Sequence, residues 1–289
     1  MKKGLVLEGG AMRGMFTAGV LDVLMENNID FDGCIGVSAG AAFGCNIKSK
    51  QIGRVIRYNT KYCKDKRYCS FHSLLKTGDI YGADFCYNKL PFELDIFDTE
   101  TFKASPVEFF VTATDIETGK AVYHKCTDGL DEDLLWFRAS ASMPLVSRTV
   151  EINDLKLLDG GIADSVPIKF IESKGYDRNV VVLTQPYDFV KEPNPMLPLI
   201  NLKYRKHKGI IDAVKNRHNI YNETTAYIKD KENKGELFVI RPPESLNIKS
   251  VCHDKNELLR VYNIGRREAE KQLPALKEYL KKGLFKTEF

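Results

Sequence analysis

Cys34-Ile35-Gly36-Val37-Ser38-Ala39-Gly40-Ala41-Ala42 is the stretch on which the reading of this chain turns. Its first four residues read as a short buried strand. The small residues after Ser38 suit a helix packed closely against a sheet. Between the two stands G-x-S-x-G, from Gly36 to Gly40. A serine at a sharp strand-to-helix turn takes a strained backbone and lifts its hydroxyl above the sheet edge. The residues two positions away must then be small. Such a turn also aims the following amides out of a helix N-terminus, where the dipole favours negative charge.

Upstream, Leu5-Val6-Leu7 is a second short apolar run, closed by Glu8, Gly9 and Gly10. After Gly14 the period becomes helical, with Met15, Phe16, Val20, Leu21, Val23 and Leu24 on one broad face that ends before Asn27-Asn28. Downstream the pattern predicts a helix over about 51–64 and a strand over 107–114. A turn at Asp115–Gly119 and a return strand at Ala121–Tyr123 follow, then a helix over Leu130–Ala141 that stops before Pro144. Strands are also expected at Leu155–Leu158, Val180–Leu183 and Leu237–Ile240. Four of the eleven prolines lie between Pro186 and Pro198, which predicts a long surface loop, either a binding loop or a plain connector. Asp254 with Glu257 predicts a capping box, and Pro274 predicts a break before a last short helix. Strands thus alternate with helices. The expected fold is α/β: three layers, α/β/α, around a largely parallel sheet, in one domain over 1–289.

Composition narrows the class. With 289 residues, 43% hydrophobic and 28% charged, the chain can bury a sizeable core. A net charge of +4 is too mild for a dedicated nucleic-acid binder, so no nucleic-acid partner is expected. The seven cysteines are expected as reduced thiols. Cys63, Cys69, Cys86 and His72 match no zinc spacing, so neither metal nor organic cofactor is expected. After Lys2-Lys3 only three apolar residues precede Glu8, and no long apolar run follows. No signal peptide and no spanning helix are expected, and the location expected is cytoplasmic. Two basic clusters stand out: Lys48, Lys50, Arg54, Arg57, Lys61, Lys64, Lys66 and Arg67, and then Lys203, Arg205, Lys206 and Lys208. They read either as solvated helix faces or as peripheral contacts with an anionic membrane.

Gly9-Gly10-Ala11-Met12-Arg13-Gly14 lies between the first strand and helix. A dinucleotide fingerprint needs glycine where Ala11 stands. A P-loop needs Lys and Ser/Thr where Met15 and Phe16 follow. Two readings remain: a tight β–α turn, or an oxyanion hole of backbone N–H groups. Asp159-Gly160-Gly161 follows a strand and reads as a turn, or as a functional carboxylate if the other two elements are functional.

Together the three motifs, in this order, resemble the patatin-like phospholipase family over at least residues 4–185. Residues 219–289 resemble a mainly helical C-terminal extension of some bacterial members. The resemblance implies Ser38 as nucleophile, Asp159 as its base, and the amides of Gly9, Gly10, Ala11 and Met12 as oxyanion hole. Gly14, Gly36, Gly40, Gly160 and Gly161 are then motif glycines. Ala11 departs from the third glycine of many members, and alanine takes a positive φ less easily. Ala139-Ser140-Ala141-Ser142-Met143-Pro144 resembles the family's small-residue stretch before a proline. Arg13 reads as a loop-orienting or phosphate-binding residue, or as a surface ion pair. None of His72, His124, His207, His218 and His253 has a catalytic context; His124, after the hairpin turn, is the one candidate among them, and it reads as a strand or surface histidine. A carboxylate within reach of Ser38 can serve as base instead. The implied activity is phospholipase A or lysophospholipase type, on a phospholipid or other acyl-ester lipid. The alternatives are a thioesterase, a general carboxylesterase, or a catalytically silent lipid-binding module.

Overall fold

The computed structural model of the chain describes residues 1–281. β1 (Lys2–Leu7) passes through a tight turn into α1 (Gly14–Glu26), and β2 (Gly33–Val37) into α2 (Ala39–Ser49). There follow α3 (Arg54–Tyr62), α4 (Phe71–Thr77), a wide helical segment at Phe85–Leu94 and α5 (Thr99–Ala104). β3 (Glu108–Asp115) and β4 (Ala121–Cys126) form a hairpin before α6 (Asp131–Ser140). A second hairpin, β5 (Val150–Ile152) and β6 (Leu155–Asp159), precedes α7 (Ile168–Ser173) and β7 (Tyr176–Val182). α8 (Leu197–Lys203), α9 (Lys208–Asn233), β8 (Leu237–Ile240) and α10 (Lys255–Lys281) complete the described chain.

The strands form one mixed, mostly parallel sheet. β2, β1, β7 and β8 are joined in parallel, and β3 pairs in parallel with β2. β4 and β6 run antiparallel to β3. Alternate strand residues feed two cores, as a sheet covered on both faces requires. Leu5, Leu7, Phe109, Val111, Val180 and Val182 pack with α1, α2, α6 and α10 on one face. Val6, Ile35, Phe110 and Val181 pack with α7 and α9 on the other. This is the three-layer α/β/α arrangement that the alternation of elements predicts.

α10 crosses α1 at van der Waals limits. A Cβ on Gly265 would lie 2.0 Å from the Phe16 carbonyl oxygen, and one on Gly19 2.1 Å from that of Tyr262. The C-terminal helix is therefore seated on the helix that begins at the glycine loop.

Several local expectations are corrected. α10 runs unbroken through Pro274. Proline inside a helix costs about 3 kcal/mol; the burial of Leu276, Tyr279 and Leu280 just beyond it offsets that cost. The capping box does not form: the Asp254 carboxylate accepts the Asn256 N–H at 2.8 Å, and Glu257 pairs with Arg260. Pro198 sits in the first turn of α8, where its missing N–H is harmless, so the loop ends at Met196. α9 begins at Lys208, well ahead of residue 219, and β8 places part of the expected extension in the sheet itself. Residues 282–289 of that extension lie outside the described residues.

Candidate active site

The register of β3 brings Ser38 and Asp159 together. β2 lies alongside residues 108–112 of β3, ending with Val37 opposite Thr112. β6 approaches from the other direction along residues 113–115, ending with Asp159 opposite Ala113. Both use the same edge of β3. The N–H of Glu108 donates to Asp32 beside β2, and that of Ile116, an even number of residues on, donates to Lys156 of β6. β4 occupies the opposite edge. Two chain ends thus meet head-on at adjacent positions, and each must turn away from the sheet.

Ser38 turns at φ 53°, ψ −120°, a strained left-handed backbone. Gly36 and Gly40 permit it: a Cβ on Gly36 would stand 2.4 Å from the Gly40 oxygen, and one on Gly40 2.5 Å from that of Leu7. The turn is fixed by Ser140, fully buried at the end of α6, whose hydroxyl accepts the Ser38 N–H at 2.8 Å. Two residues on, the Ser142 carbonyl accepts the Asp159 N–H at 2.8 Å. The small-residue stretch before Pro144 therefore holds both residues from one side.

Asp159 is buried. Its Oδ1 accepts the Gly161 N–H at 2.8 Å, and the Thr114 hydroxyl donates to its carbonyl at 2.8 Å. Burial pushes its carboxyl above the ordinary carboxylate range. The Ser38 hydroxyl hydrogen-bonding to it, the Arg217 guanidinium and the Gly161 N–H pull the other way.

Beside this pair runs the loop from Gly9 to Met12. Ala11 takes φ 47°, so alanine adopts the positive φ that glycine would enter without strain. Among the described residues the Gly9 and Gly10 N–H groups have no protein acceptor. Glu8, just before them, is buried; it accepts from the Thr184 N–H at 2.5 Å and the Tyr221 hydroxyl at 2.8 Å. Arg13 is half-buried, with its Nε 3.5 Å from the Thr184 hydroxyl.

Ser38 stands where two cavities join, with Ala11 and Met143 in the shared wall. One is narrow, about 120 Å³, and lined by apolar and aromatic side chains such as Phe43, Tyr58, Tyr87, Leu90 and Phe137. The other, about 400 Å³, holds Asp159, Gly9 and Gly10 together with Arg13, Lys191 and Arg217. A group with a long apolar tail and a polar head would find each half matched at Ser38.

None of the five histidines lines either cavity. His124 pairs with Asp133 at 2.7 Å and stacks on Trp136. These two contacts, with Asp133 also accepting three backbone N–H groups, account for it structurally. The first basic cluster is partly internal. Lys48 donates to the carbonyls of Ser105 and Val107 at 2.8 and 2.7 Å, and Arg54 and Arg57 both bind Asp95. Ser140, Thr114, Glu8, Lys191 and Arg217 carried no local signal of their place here. Ser140 lies in the small-residue stretch before Pro144, Thr114 in the strand over 107–114, Lys191 in the Pro186–Pro198 loop and Glu8 at the end of the first apolar run, whereas Arg217 lies in no stretch that the sequence marks.

A family model described as patatin-like phospholipase matches residues 5–170, and one described as a domain of unknown function (DUF6363) matches residues 207–281. The chain is 27% identical over 277 residues to the uncharacterized protein YjjU of Escherichia coli K12, covering 91% of this chain and 74% of that protein. It is 25% identical over 213 residues to the uncharacterized NTE family protein Rv1063c of Mycobacterium tuberculosis, covering 72% of this chain and 57% of that one. With lysophospholipase nte1 of Emericella nidulans the identity is 29% over 189 residues, 60% of this chain but 11% of the other. Among solved structures, VipD from Legionella pneumophila aligns over 95% of this chain and 67% of its own, with a TM-score of 0.48 and 12% identity. No helix among the described residues is long and apolar enough to cross a membrane.

Proposed function

The chain belongs to the patatin-like phospholipase family, and from that kinship with lipid-ester hydrolases we propose that it cleaves acyl esters of lipids through a Ser38–Asp159 dyad. The observation that carries this reading is the meeting of the Ser38 hydroxyl and the buried Asp159 carboxylate at the junction of an apolar and a polar cavity.

The chemistry follows from the groups present. A serine hydroxyl is a weak nucleophile until a base takes its proton. Asp159 takes it as Ser38 Oγ bonds to the acyl carbon. The carbonyl oxygen becomes an oxyanion beside the unpaired N–H groups of Gly9 and Gly10, with those of Ala11 and Met12 next in line. The ester C–O bond then breaks, and the proton on Asp159 passes to the leaving alcohol. In the second half Asp159 takes a proton from water, the hydroxide attacks the acyl-serine, and Ser38 leaves with the proton returned. The apolar cavity suits the acyl chain, and lysophospholipid-type esters are the favoured substrates.

The test is labelling by a fluorophosphonate probe, with hydrolysis of a lysophospholipid measured in parallel. Wild-type protein is expected to react at Ser38. Ser38→Ala and Asp159→Ala are each expected to lose about 10⁴-fold or more in turnover. An unlabelled wild-type protein, or an Asp159 variant with most of its rate, refutes the dyad.

A further inference from the structure

Three cations converge on the polar cavity: Arg13 from the glycine loop, Lys191 from the Pro186–Met196 loop and Arg217 from α9. Two carboxylates, Glu8 and Asp159, face the same space. Among the described residues none of the three cations forms an ion pair. Arg217 spends its Nε on the Gly161 carbonyl, at 2.5 Å. Lys191 Nζ lies over the Tyr221 and Phe189 rings, 4.4 and 5.6 Å from their centroids. The cavity thus holds an excess of positive charge with donors still to satisfy.

The region matched to a domain of unknown function supplies part of this wall. Arg217 and Tyr221 both stand on α9. Asn222, one residue on, accepts the Lys191 N–H at 2.8 Å and donates to its carbonyl at 3.0 Å. Both polar groups of one residue's main chain are thereby tied to the helix, and Lys191 is held at the cavity by α9 as well.

We propose that α9 and the loop it pins complete an anion subsite, Arg13–Lys191–Arg217, that grips a phosphate group on the alcohol side of the scissile ester. The inference rests on the hydrolase reading for the identity of that ester and assigns the C-terminal region a role in selecting it. Two guanidinium groups and an ammonium around one pocket match the donor needs of a tetrahedral phosphate. A neutral glycerol head would leave them unmatched. The local electrostatics agree: burial, then the charges of Arg217 and Arg13, pull Lys191 down to about 8 against the opposing charge of Glu8, and a bound dianion would relieve that strain.

The experiment compares two esters of one acyl chain, 1-palmitoyl-glycerol 3-phosphate and 1-palmitoyl-glycerol, with the full chain and its Lys191→Gln, Lys191→Arg and Arg217→Lys variants. The readout is the ratio of the two kcat/KM values. Lys191→Gln is expected to lower that ratio about 10- to 100-fold, as loss of one charged hydrogen bond implies, and Lys191→Arg to restore it to within a few-fold. A ratio unmoved by Lys191→Gln overturns the subsite and leaves the dyad intact. Direct binding to the Ser38→Ala protein by calorimetry makes the test independent of turnover. Tighter binding of the phosphorylated lipid than of the neutral one supports the subsite even if the wild type hydrolyses neither, whereas equal binding overturns it. Inorganic phosphate is the third probe. Weak competition by it assigns the subsite to a lipid headgroup; affinity equal to that of the phosphorylated lipid overturns the headgroup assignment in favour of free phosphate.

Discussion

Replacing Ser140 with alanine removes the one acceptor of the Ser38 N–H without touching either member of the dyad. The hydroxyl is fully buried and holds that N–H at 2.8 Å. A buried donor left unpaired costs about 1–3 kcal/mol, and the φ of 53° at Ser38 already stores strain of about 1–3 kcal/mol. The turn then has two outcomes. If it holds, the whole penalty appears as lost stability, about 2–12 °C in Tm for a chain of this size. If it relaxes toward negative φ, the hydroxyl swings off Asp159, and a shift of about 1 Å is enough for a roughly 100-fold loss in kcat. Scanning calorimetry and turnover of a chromogenic ester measure both on one preparation. A variant with unchanged Tm and unchanged kcat refutes the argument that this hydrogen bond sets the elbow.

Four further outcomes are expected. Asp159 must be ionised to act as base, and its carboxyl lies above the ordinary range. The acid limb of kcat/KM therefore lies above the range of an ordinary aspartate, and Arg217→Gln, which removes a charge holding that pKa down, moves the limb further up; a limb that moves down contradicts the assignment. The same raised pKa means that the folded state loses stability as pH rises through it, while below the unfolded value the group is neutral and no penalty exists. Asp159→Asn is therefore expected to raise Tm at pH 8 and leave it unmoved at pH 3, checked by thermal melts at both. Gly265→Ala forces a methyl into the Phe16 backbone and is expected to cost about 2 kcal/mol or more by denaturant unfolding; a neutral result means that α1 and α10 part easily. Lys203, Arg205, Lys206 and Lys208 remain exposed, except that Lys203 approaches the Ser147 carbonyl at 3.5 Å. Vesicle binding is expected to rise with anionic lipid and fall with salt, and equal binding to neutral vesicles rules out this attraction.

What could be read along the chain was whatever local geometry dictates. The two strand–turn–helix units around Gly9–Gly14 and Gly36–Gly40 need small residues where backbones touch, and that need is written in the motif itself. The hairpin at Asp115–Gly119 and the strand before Asp159 showed for the same reason. Arg217 and Lys191 left no such mark, because their place depends on how α9 docks, and docking has no short-range pattern. Pro274 misled because packing beyond it outweighs a local rule. The first basic run misled because Asp95, well downstream, claims two of its arginines.

The head-on meeting of β2 and β6 makes β3 a ruler. Val37 and Asp159 are spaced by consecutive residues, Thr112 and Ala113, so their separation is a property of one strand rather than of two loops. Inserting a single residue between those two positions would slide one partner by about 3.3 Å and reverse the face it presents. Length is thus free to vary in the 121-residue interval between nucleophile and carboxylate only where it does not enter this strand.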